Sequence, residues 1–124
     1  MNILHITSRQ AWIEATRLGR YAAPSLEKDG FIHGSTLRQL LPVAGMFFRG
    51  QKDLVVLEID PKRLTSELRW EPPAGGTAPP GVPEGDAFPH IYGPINLDAI
   101  VRVLDLLVGA DGKFELPAGL SLGG

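Results

Sequence analysis

Glu71 to Ala87 holds five prolines and four glycines in 17 residues, and no helix or sheet ladder accommodates that density of breakers. A structureless segment of this length inside a compact domain is usually a lid, a binding loop or a disordered connection. It therefore divides the chain. The helical periodicities lie before it, and short runs of strand character lie on both sides. The 124 residues favour one domain, residues 1–124, with a core of modest size, so both parts must close on each other.

Ile3-Leu4-His5-Ile6 reads as a first strand. Thr7 is placed to cap a helix with Gln10 at its third position, and Ala11, Trp12, Ala15 and Leu18 share one helical stripe that Gly19 ends. Arg20 to Asp29 reads as a connection. Phe31 to His33 reads as a strand running into a second helix, where Thr36 and Gln39 have capping-box spacing. Leu37, Leu40, Leu41, Ala44 and Phe48 are spaced for one buried face. Pro42 either kinks that helix or marks a start near Leu41.

Asp53 to Asp60 is the clearest strand: Val55, Leu57 and Ile59 point one way, Leu54, Val56 and Glu58 the other. Leu64 to Trp70 holds a further short strand. Pro89 suits a strand start or an edge. Asn96-Leu97-Asp98 reads as a turn. Ile100 to Val108 returns through Asp111-Gly112 to a strand at Lys113 to Leu116. Residues 117–124 read as a flexible tail. About six strands and two helices in the N-terminal half predict a compact α+β fold.

A net charge of −2 with no basic run gives no footing for a nucleic-acid partner. Cysteine is absent, which removes thiol chemistry and fits a reducing cytoplasm. No apolar stretch reaches the length of a membrane span, and Met1 to Ser8 has no signal-peptide pattern.

The three histidines, His5, His33 and His90, all fall on expected strands or at their ends. Three that converge make a site; singly, each is more often a half-buried strand residue. No His-x-x-x-His pair or other local ligand pair supports a metal. Ser35 and Thr36 open a helix, where free amides suit a polar or anionic ligand, although any strand-to-helix turn needs such caps.

His5-Ile6-Thr7 with Trp12, Gly30-Phe31-Ile32-His33 with Ser35-Thr36, Phe48-Arg49-Gly50, Leu57-Glu58-Ile59-Asp60 and Phe88-Pro89-His90-Ile91-Tyr92-Gly93-Pro94 resemble the bacterial domain of unknown function numbered 952. The resemblance runs from Ile3 to about Leu116. That family's fold is similar to the ADP-ribosyltransferase superfamily, a split β core that grips NAD between two small sheets. The resemblance implies NAD or a related nucleotide as cofactor, and transfer or cleavage at the ribosyl carbon. His5 falls on the first motif strand, where the superfamily's residue holds ribose hydroxyls. His33 to Thr36 falls near the second motif strand, and His90 near the third.

Protein-modifying transferases commonly carry Glu at the third position, and this chain has no acid there. That leans toward a branch like the RNA 2′-phosphotransferases, whose phosphate-holding basic residues this acidic chain does not match. On this reading His90 and Glu58 are catalytic, with Glu58 facing the developing positive charge. His5, His33, Ser35 and Thr36 hold the cofactor, Tyr92 stacks on a ring and Arg49 meets a phosphate. A non-catalytic nucleotide-binding module and a protein-interaction surface are the rival expectations.

Overall fold

The computed structural model describes residues 1–120. It contains β1 (Ile3–Ser8), α1 (Arg9–Leu18), β2 (Arg20–Tyr21), α2 (Ser25–Asp29), β3 (Ile32–His33), α3 (Leu37–Phe47), β4 (Leu54–Ile59), β5 (Glu67–Glu71), β6 (Phe88–Tyr92), β7 (Ile95–Asn96) and β8 (Ile100–Leu106). One antiparallel sheet has the order β1-β4-β8, a second has β3-β6-β5, and β2 pairs with β7. The two larger sheets meet at a single bridge, where Leu4 and Ser35 exchange backbone hydrogen bonds of 2.8 and 2.7 Å. The result is an α+β fold with a split β core.

β4 forms the centre because it carries buried apolar side chains on both faces. Val55, Leu57 and Ile59 pack with Ile32 and Ile91 of the second sheet and with Ala15 of α1. Leu54 and Val56 pack with Leu40 and Ala44 of α3. Burial of such side chains contributes roughly 1.5–3 kcal/mol each, which makes this strand the main source of cohesion.

Several elements differ from the sequence expectation. Thr7 lies in β1, and Ser8 caps α1 by accepting from the Ala11 amide at 3.0 Å. The connection over residues 20–29 contains the β2 pair and α2, both too short to show a period. There are three α-helices among the described residues, not two. α3 starts at Leu37 behind a complete Thr36–Gln39 capping box, and Pro42 sits inside it without ending it. Leu18 is exposed, so the α1 stripe stops at Ala15. The expected return strand after Asp111-Gly112 reduces to one bridge between Val108 and Phe114. Of the expected tail, residues 117–120 make a turn and Leu120 packs on the α3 side of the core; residues 121–124 lie outside the described residues.

The Pro/Gly segment is the connection of a hairpin, since Glu71 pairs with Phe88 across β5 and β6. It is largely exposed, but Pro79 and Val82 are buried. Gln39 of α3 anchors its end by donating to the Ala87 carbonyl at 2.9 Å and to Asp86 at 3.3 Å.

Candidate functional site

Where the two sheets part beyond the Leu4–Ser35 bridge, a cavity of about 640 Å³ opens along the free edge of β1. His5, Thr7, Tyr21, His33, Ser35 and His90 line it, and Pro73, Ala74, Thr77 and Pro79 of the Pro/Gly segment supply one wall. All three histidines thus meet at one place, carried by β1, β3 and β6.

Strand alternation places them. Along β1, His5 and Thr7 share the face of Ile3, opposite Leu4 and Ile6. His33 and His90 are direct cross-strand partners, with ring centroids 5.7 Å apart, while their neighbours Ile32 and Ile91 point into the core. The bridging Leu4 turns its N–H and C=O away from β4. By the period of two, Ile6 does the same, and its N–H and C=O have no hydrogen-bond partner among the described residues.

His5 is buried at 8% exposure. One ring nitrogen, Nδ1, lies 2.6 Å from the His33 carbonyl, and the other, Nε2, lies 2.7 Å from the Tyr21 hydroxyl. Burial lowers its pKa to about 4, against the raising effect of the His33 carbonyl, so the ring is neutral at pH 7. A carbonyl only accepts, so Nδ1 carries the proton and Nε2 accepts from Tyr21. Tyr21 itself is pushed above its ordinary pKa by burial.

His90 is 3% exposed and its ring stacks on Phe31 with centroids 4.1 Å apart. Its Nδ1 lies 2.8 Å from Glu71 Oε1, which also accepts from the Tyr92 hydroxyl at 2.5 Å. Glu71 is held below the usual carboxylate range, by Tyr92 first and then by His90. The same bond raises the Tyr92 pKa. Arg69 covers the Tyr92 ring at 4.4 Å. His33 turns its Nε2 to Asp29 Oδ2 at 2.9 Å.

Four of the expected site residues line the cavity: His5, His33, Ser35 and His90. Four do not. The Thr36 hydroxyl accepts from the Gln39 amide as a helix cap. Arg49 is an exposed residue just beyond α3. Tyr92 reaches the site through Glu71, with its ring under Arg69 and against Phe31. Glu58 is engaged elsewhere, accepting from Arg102 at 2.5 Å and Asn2 at 2.9 Å. Burial works to raise its pKa, and those two partners outweigh it and hold it low.

Glu71, Asp29, Tyr21 and Phe31 are the residues that sequence reasoning missed. The alternation Glu67-Leu68-Arg69-Trp70-Glu71 carried a signal, because it puts three charges on one strand face, here the face of His90. Tyr21 and Asp29 gave none, since their elements are too short.

The family described as Protein of unknown function (DUF952) matches residues 6–103. The chain belongs to this family. The crystal structure of protein CC0527 from Caulobacter crescentus is similar at 35% identity, covering 94% of this chain and 95% of that one, with a TM-score of 0.78. The solution NMR structure of CC0527 is similar at 35% identity, covering 93% and 92%, with a TM-score of 0.74. No curated protein matches the chain. Among the described residues, no helix is long and apolar enough to cross a membrane.

Proposed function

We propose that the cavity binds NAD or a related nucleotide through its nucleoside half, and that the site supports transfer or cleavage at the ribosyl carbon, in the manner of an ADP-ribosyltransferase. The supporting observation is the convergence of His5, His33 and His90 on one cavity at the junction of two small sheets. Those three strands are the ones that the sequence resemblance puts around an NAD groove.

The lining suits a nicotinamide riboside. The open Ile6 N–H and C=O offer a donor and an acceptor on one strand edge, the complement of a primary carboxamide. Thr7, His33, Ser35 and His90 offer polar groups for sugar hydroxyls, and Phe48, Phe88 and the Pro/Gly wall exclude water. The diphosphate is served less well. Lys28 is the cation among the lining residues, and Arg49 is not one of them.

NAD, when bound, would supply a ribosyl carbon bearing a good leaving group. The chain's part is to orient the sugar, keep water out and accept a proton from the attacking group. His90 is the residue for that last task. The His90 Nδ1–H donates to the Glu71 carboxylate, which leaves the lone pair on Nε2 as the base.

Binding is tested by melting the protein with NAD. At about a hundredfold excess over Kd, stabilisation of roughly 2.7 kcal/mol should raise Tm by about 5 °C. Turnover is tested by nicotinamide release, which His90→Ala should slow more than it weakens binding. A shift without release would make the domain a non-catalytic binding module. No shift with NAD or any related nucleotide would overturn the reading and favour a protein-interaction surface.

A further inference from the structure

We infer that the side chains around this cavity select a ligand hydroxyl that donates, and reject a phosphate or carboxylate at the same place. This deepens the proposed function and rests on the cavity being a ligand site. The argument is an account of protons.

His5 takes the single hydroxyl hydrogen of Tyr21, because its Nδ1 proton is committed to the His33 carbonyl. Tyr21 and Thr7 hydroxyl oxygens lie 3.0 Å apart. Thr7 must therefore supply the hydrogen of that contact, and its Oγ1 is left with lone pairs alone. In the neutral imidazole of His33, Asp29 claims the Nε2 proton and leaves a lone pair on Nδ1. In that of His90, Glu71 claims the Nδ1 proton and leaves a lone pair on Nε2. That nitrogen has no protein partner among the described residues, and it is not sealed off, since no unpartnered side-chain nitrogen or oxygen there is fully buried. Three lining side chains thus present acceptors, with their protons already given to Tyr21, Asp29 and Glu71.

An anion needs the opposite lining, several N–H groups or cations aimed at it. The amides of Gly34 and Ser35 are spent on the carbonyls of Pro89 and Leu4. Ile6 offers one N–H beside its own carbonyl. Lys28 lines the cavity, but so does the acidic Asp29 that follows it in sequence, and Glu71 stands behind His90. Ser35, Ser8, Ser25 and Thr77 hydroxyls also line the cavity and can turn either way. A sugar diol brings the two O–H donors that the fixed acceptors lack.

The test uses the intact chain at pH 8. Calorimetry compares nicotinamide riboside, its 2′,3′-dideoxy analogue, D-ribose, NAD and inorganic phosphate. The riboside should bind roughly tenfold or more tightly than the dideoxy analogue, because the unmet lone pairs are then left without a donor. Phosphate should not compete. Thr7→Val should erase most of that tenfold difference by weakening the riboside and leaving the dideoxy analogue unchanged. Equal binding of the two, or competition by phosphate, would overturn the inference and leave nucleotide binding standing. Ribose binding without NAD binding would support it and remove the nucleotide. Binding by none of the probes would overturn both. Nitrogen-15 spectra supply a check that needs no ligand: a proton on His90 Nε2 or His33 Nδ1 at pH 8 overturns the inference, and lone pairs at both atoms support it.

Discussion

His5 carries a cost that depends on pH. In the unfolded chain it takes up a proton below about 6.5, whereas in the fold it stays neutral down to about 4. Between those values the unfolded state binds more protons, so stability falls as pH drops through the window and is flat above it. The loss across the window is about 3 kcal/mol. Denaturant melts at pH 7.5 and 4.5 should show it, and His5→Asn should have a shallower slope; parallel slopes would mean the ring is not desolvated as described. Gly34 marks a second single-residue constraint. A Cβ there would meet the Pro89 carbonyl oxygen at 2.9 Å and an Ile3 methyl at 3.0 Å, at the seam of the two sheets. Gly34→Ala should cost roughly 1–3 kcal/mol as overpacking, measurable as a lower denaturation midpoint at unchanged slope.

At the scale of elements, α3 does two jobs. Its apolar stripe covers one face of β4, and its first turn, through Gln39, holds the end of the Pro/Gly segment. Separate substitutions separate the jobs. Thr36→Ala removes the cap and should cost about 1 kcal/mol without loosening the segment. Gln39→Leu keeps the volume of a residue only 2% exposed but drops both the reciprocal cap and the tether to Ala87. It should make residues 74–85 markedly more sensitive to proteinase K than Thr36→Ala does; equal sensitivity would show that the tether does not hold the segment.

For the whole molecule, the arrangement to test is a hairpin whose long connection closes a site between two sheets. Because Glu71 and Phe88 are already paired, a short turn could replace most of residues 72–87. Closure entropy changes slowly with loop length, so the main loss would be the burial of Pro79 and Val82. The shortened protein should still unfold cooperatively, with Tm lowered by only a few degrees, in line with about 1–2 kcal/mol. On the proposed NAD binding, it should lose the shift that NAD gives the full-length chain, because one wall of the cavity is gone. A retained shift would show that the wall is dispensable to binding.

Alternation and apolar runs determined β1, β4 and β8, since a strand buried on one or both faces needs that pattern wherever it pairs. The Thr36–Gln39 spacing showed one place where α3 could begin, because a cap is satisfied within four residues, and the fold chose it over the start near Leu41 that Pro42 left open. Those signals also put each histidine on or beside a strand. Only the tertiary structure decided what the histidines face. Cross-strand register set His33 against His90, and the hairpin brought Glu71 to His90 and Tyr92 across 19 and 21 positions of chain. Tyr21 and Asp29 belong to elements of two and five residues, too short to carry a period of their own. Glu58 shows the same limit from the other side: its strand and face were legible, but Arg102 on β8 and Asn2 beside β1 occupy it, and pairing of distant strands is not written in local spacing.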